Sequence, residues 1–114
     1  MAENTRLELI IEALESQKAD DVVTMDVKGQ SSLADTMVLA SGTSSTHLRG
    51  MSDKIHFDLK KTGELPLGIE GNEGGSWVLM DYNDIIVHLF LPERREEIDM
   101  VKLYEEIAHS RNGD

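Results

Sequence analysis

The sequence has no cysteine, so it holds no disulfide within the chain and no thiolate metal site. That absence fits a cytoplasmic protein. Aromatic residues are only 4% of the chain, with one tryptophan and two each of tyrosine and phenylalanine. Whatever each aromatic does is therefore easy to isolate. Proline occurs twice, and no apolar run approaches the roughly 20 residues that a membrane-spanning helix needs. The first residues, MAENTRLE, lack the basic-then-apolar layout of a signal peptide. Basic residues are scarce. Eleven lysines and arginines face 22 acids, for a net charge of -11. A surface of that sign repels phosphate backbones and anionic lipid, so neither direct nucleic-acid binding nor membrane binding is expected. It attracts a basic protein, although acidity also serves plain solubility.

What is present is 114 residues with 39% hydrophobic content, enough for one modest core. A single domain over 1-114 is expected, with its ordered part at about 5-109. Thr5 to Glu8 fits a capping box, and Leu7, Ile10, Ile11 and Leu14 follow at helical spacing. The spacing predicts a first helix from about Arg6 to Gln17. Val22 to Val27 reads as a strand. Thr36 to Ala40, TMVLA, does not alternate, which suits a strand buried on both faces. Ser41 to Ser45 is a turn rich in capping hydroxyls. A second helix follows, with Leu48, Met51, Ile55 and Leu59 on one stripe and Gly63 placed to end it. Pro66 to Glu70 reads as a short strand, and Pro66, lacking an amide hydrogen, belongs at its start or on a sheet edge. Pro92 stops the last strand. Glu93 to His109 reads as a third helix, with Met100, Leu103, Tyr104 and Ile107 as its apolar side. The order predicts an α/β domain whose mixed sheet of about five strands is flanked by helices. The helix between the second and third strands suggests a right-handed crossover and a parallel pair.

The rest is organised around Trp77 to Phe90, WVLMDYNDIIVHLF. This stretch reads as two strands joined by the two-residue turn Asn83-Asp84, both of which tolerate left-handed backbone. A turn that tight sets Tyr82 opposite Ile85, Met80 opposite Val87 and Val78 opposite Leu89. These six share one apolar face, pointing into the core. The other face pairs Asp81 with Ile86, Leu79 with His88 and Trp77 with Phe90. Two large aromatics, an acid and a histidine on one face need a cover, from this chain or from another protein. Asp81 in particular needs a backbone amide, a helix N-terminus or a basic group.

Other constellations are weaker. Gly42-Thr43-Ser44-Ser45 at a helix start has the form of an anion cradle, but helix capping explains it as well. A nucleotidyltransferase would add paired carboxylates on adjacent strands to hold magnesium. Here Asp81 and Asp84 are three apart, and Asp26 stands alone. None of His47, His56, His88 and His109 has a partner at ligand spacing, so a structural role is expected for each and no metal site is assigned. No Ser-His-Asp or Cys-His set assembles. Glu93 to Glu97 reads as the solvated first turns of a helix.

In order and at the right separations, several segments together resemble the Iojap or RsfS family of ribosomal silencing factors. They are Asp35 entering TMVLASGTSS, Glu70-Gly71 before a glycine turn, Trp77-Val78-Leu79-Met80-Asp81-Tyr82, Val87-His88-Leu89-Phe90, and an arginine opening the last helix. The resemblance covers nearly the whole chain. It implies a nucleotidyltransferase-like sheet without catalysis and without a cofactor. It also implies binding to the large ribosomal subunit through ribosomal protein uL14, where the bound factor blocks small-subunit joining and represses translation. One segment departs from the pattern. Where the family carries Arg-x-Phe-Tyr-x-Leu-Glu-x-Leu-Trp, this chain has Arg95 to Tyr104, with Glu97-Ile98 for the Phe-Tyr pair, Val101 for the glutamate and Tyr104 for the tryptophan.

The expected partner-binding residues are Trp77, Leu79, Asp81, His88 and Phe90 by the pairing argument. Tyr82 joins them from the family signature, although the register places it on the core side. Two other readings stay open. One is a nucleotidyltransferase-like enzyme using Gly42, Ser44 and a carboxylate. The other is a homodimerisation module that pairs its mixed face with itself.

Overall fold

The structure is a computed structural model that describes residues 2–29 and 34–94. Helix α1 is Ala2–Ser16, strand β1 Asp20–Asp26, β2 Thr36–Ser41, helix α2 Ser45–Lys60, β3 Gly68–Glu70, β4 Trp77–Asp81 and β5 Ile85–Phe90. The five strands form one sheet in the order β1-β2-β5-β4-β3. Only β2 and β5 pair in parallel; every other neighbour is antiparallel. The expected mixed α/β sheet is therefore present. The crossover through α2 joins β2 to β3, which run the same way, but two strands lie between them. The predicted parallel partner of β2 was the next strand in sequence. Its actual partner is β5, because the β4–β5 hairpin inserts between β2 and β3.

Helix α1 starts at Ala2, one turn before the capping box, so Thr5 lies inside it. It ends in a Schellman turn: Ala19 N–H donates to Leu14 O, and Lys18 takes the left-handed conformation with φ of 58°. Helix α2 opens on Ser44, whose side chain accepts from the N–H of His47. It closes the same way as α1, with Glu64 N–H donating to Leu59 O and Gly63 at φ 89°. The predicted third helix lies outside the described residues apart from a helical turn at Pro92 to Arg94, as do His109 and the altered segment from Arg95 to Tyr104.

The hairpin register is the one the alternation predicts: Trp77↔Phe90, Leu79↔His88 and Asp81↔Ile86 on one face, Val78↔Leu89 and Met80↔Val87 on the other. The turn closes through Tyr82 N–H to Ile85 O, at 2.9 Å. Of the two turn residues only Asn83 has positive φ, 76°. The Asp84 N–H donates back to the Tyr82 carbonyl at 3.1 Å, the bond of a γ-turn centred on Asn83. Helices α1 and α2 pack together on the sheet's first face. They bury Ile10, Leu14, Leu48, Met51, Ile55 and Leu59 against Val38, Ala40, Val78, Met80, Tyr82, Val87 and Leu89. A separate cluster of Val27, Met37, Leu39 and Phe90, with Val23, Met25 and Trp77 at its margin, occupies the second face.

Candidate partner-binding surface

The second face is built around Trp77. Cross-strand pairing sets its ring over Phe90, with centroids 5.3 Å apart and planes 29° from parallel. His88 completes the group, stacked on Phe90 at 5.8 Å and nearly parallel to it. The indole Nε1–H donates to His88 Nδ1 at 3.0 Å. That bond requires an unprotonated Nδ1, so the imidazole is neutral with its proton on Nε2. Burial favours the same state and pushes the His88 pKa down to about 4. The Arg94 guanidinium lies 5.8 Å from the centre of the indole ring, within cation–π range.

Beside the indole is a shallow groove of about 220 Å³, lined by Glu70, Gly71, Trp77 and Leu79. Gly71 makes it possible. Its φ is 82°, and a Cβ there would lie 2.1 Å from the Trp77 carbonyl oxygen. Only glycine lets the 71–75 loop pass so close to β4. The Glu-Gly pair before the glycine turn was visible in the sequence. Its place in the groove was not, because the β3–β4 pairing that brings it to Trp77 is a matter of register.

The six expected residues do not form one surface. Trp77, Leu79 and Asp81 are part-exposed. His88 and Phe90 share their face but are buried, so they set the indole's position from beneath. Tyr82 lies on the opposite face, 4% exposed among the residues packed by α1 and α2. Asp81 finds its partner locally: its carboxylate accepts from the Asn83 N–H at 2.8 Å, an Asx turn that helps fix the hairpin.

The parts of the enzyme reading lie at opposite ends of the sheet. Gly42 follows β2, and its N–H donates to Phe90 O at the end of β5. Asp84 precedes β5, about 20 Å away at 3.3 Å per residue. The Gly42 and Thr43 amides of the turn are already engaged. Thr43 N–H donates to His47 Nδ1 at 2.9 Å, and His47 N–H to Ser44 Oγ at 3.0 Å. His47 also reaches the Gln17 carbonyl through Nε2, tying the end of α1 to this turn. A Cβ on Gly42 would crowd Met51 and Leu48, so helix packing accounts for that glycine. The carboxylates are engaged too. Asp84 holds Arg6 at 2.6 Å, and Asp26 accepts from Lys28 N–H. Among the described residues no cluster of three or more His, Asp or Glu could hold a metal, and no helix is long and apolar enough to cross a membrane.

The family model described as "Ribosomal silencing factor during starvation" matches residues 2–113. The chain is 36% identical over 96 residues to a protein of Chromobacterium violaceum named ribosomal silencing factor RsfS, covering 84% of this chain and 79% of that one. It is 35% identical over 98 residues to the protein of that name in Haemophilus influenzae, covering 86% and 96%. A mouse protein named for mitochondrial assembly of the ribosomal large subunit is 30% identical over 101 residues. The match spans 86% of this chain and 44% of the mouse protein. Among solved structures, a Chromobacterium violaceum protein superposes with a TM-score of 0.86 at 34% identity, covering 90% of this chain and 85% of that one.

Proposed function

The chain belongs to the RsfS family of ribosomal silencing factors, and from that membership we propose that it binds the large ribosomal subunit through uL14 and keeps the small subunit from joining. The action is steric, in the cytoplasm, and uses neither catalysis nor a cofactor. The observation that carries the site is the second sheet face, where part-exposed Trp77 and Leu79 flank an open groove above buried aromatic support. Tryptophan set on a rigid base is the side chain that most often dominates an interface. The net charge of -11 favours encounter with a basic ribosomal protein. The mouse relative, named for large-subunit assembly, supports the choice of subunit.

The test is sedimentation of the purified protein with isolated large subunits at low and moderate salt. The protein should co-sediment, and small subunits added beforehand should prevent it. Trp77→Ala and Leu79→Ser should each weaken binding about tenfold or more, in variants whose thermal unfolding remains cooperative. If both variants bind as the parent does, the second face is not the contact surface. If the parent fails to co-sediment at either salt, the silencing reading itself fails.

A further inference from the structure

A second surface adjoins the Trp77 groove and shares Glu70 with it. Among the described residues, strand β3 is a sheet edge of three residues that pairs only with β4. The segment leading into it exposes Leu65 (60%) and Leu67 (73%). With Phe57, these are the exposed large hydrophobics among the described residues, and Lys61 already covers the Phe57 ring at 4.4 Å. An open edge invites another strand, and proteins blunt one by keeping it short or with proline or charge, lysine above all. This edge is short and is entered through Pro66, but it carries two exposed leucines and one acid, Glu70, with no lysine from Leu65 to Glu70.

Alongside Leu65 and Leu67 runs a cleft of about 440 Å³, completed by Arg6, Glu64, Tyr82, Asn83 and Asp84. Tyr82 brings a buried hydroxyl without a hydrogen-bond partner. Arg6 is held by Asp84 at 2.6 Å and Glu64 at 3.2 Å. Glu64 and Asp84 line the cleft with Arg6 between them, and β3 and its neighbour β4 add Glu70 and Asp81. A second copy of this chain would set those acids against themselves.

We propose that the β3 edge and its cleft take an extended segment of a basic partner protein, which adds a strand to the sheet, covers Leu65 and Leu67 with apolar side chains and sets lysine or arginine against Glu64 and Glu70. The mode is strand addition: main-chain bonds give affinity, and alternate side chains give selectivity. It also gives Tyr82 a place in recognition, on the opposite face from Trp77.

The experiment is amide NMR of the full chain titrated with a basic strand-forming peptide of alternating lysine and valine, and with its glutamate-valine counterpart. The lysine peptide should shift the amides of Leu65, of residues 67–70 and of Tyr82 and slow their hydrogen exchange; the glutamate peptide should do neither. Leu65→Ser/Leu67→Ser, an exposed pair, should weaken the effect about tenfold, while Trp77→Ala should leave it unchanged. Three results would overturn the proposal: no shift, shifts spread over acidic residues everywhere, or self-association through β3 without peptide. The last would make a second copy the occupant. Ribosome co-sedimentation reads the Trp77 face, so either result stands without the other.

Discussion

The two faces of the sheet bury side chains of different kinds. The first face is closed by α1 and α2 over aliphatic residues, with Tyr82 the one aromatic in its core. The second sets Trp77, His88 and Phe90 in mutual contact and leaves Trp77 part-exposed. Aliphatic packing is non-directional, and it stabilises in proportion to the area it buries. Stacked rings with an indole-to-imidazole hydrogen bond fix one side chain in one orientation instead. The first face holds the fold; the second presents a rigid feature, which is what the proposed contact surface requires.

The largest effect that would test this division is in the first face. Leu48→Ala should cost about 2–5 kcal/mol of stability, read from urea unfolding, while the molecules still folded bind as before. Should Trp77→Ala cost as much stability as Leu48→Ala, the division would not hold.

Next is pH. His88 has its folded-state pKa lowered to about 4, against about 6.5 when unfolded. Above pH 6.5 both states are neutral and stability is level. Between pH 6.5 and 4 the unfolded chain takes up a proton that the native one does not, so stability falls, by at most about 3 kcal/mol. Below 4 this slope ends. His88→Gln should flatten it, as followed by thermal unfolding across that pH range.

A smaller loss is expected from Gly71→Ala. The left-handed backbone and the contact with the Trp77 carbonyl should cost about 2 kcal/mol. The loop would be displaced beside the groove, so ribosome binding should fall more than stability does, as sedimentation and urea unfolding together would show.

The smallest effect concerns Arg6, which ties α1 to the hairpin turn. Its bond to Asp84 holds that carboxyl below the ordinary aspartate range. The contribution is present above the unfolded aspartate pKa and is lost as pH falls through the folded one. Both groups are partly solvated, so Arg6→Ala should cost about 0.5–1 kcal/mol and less at high salt. Denaturant midpoints at two ionic strengths measure it.

The hairpin was legible because a two-residue turn leaves one register, and alternation then assigns every side chain to a face. The sides of Trp77, Leu79, Asp81 and Tyr82 followed from that alone. The buried state of β2 was equally plain in TMVLA. The partner of β2 was not: β5 lies 49 residues on by the Thr36↔Ile85 pairing, and local pattern carries no trace of such a contact. The start of β1 was also obscure, since a register shift between Asp20 and Val23 and a left-handed Asp21 disguise it. The depth of His88 and Phe90 could not be read either. Alternation says which side a residue takes, not what lies above it.

Trp77 is the chain's one tryptophan, and it sits on the proposed contact surface. Excited at the red edge, where its two tyrosines do not absorb, the protein therefore emits from one indole whose nitrogen is bonded to His88. A partner that covers the groove should shift that emission toward the blue, and protonation of His88 should quench it. The molecule thus carries its own optical probe, which reads occupancy of one face without any label.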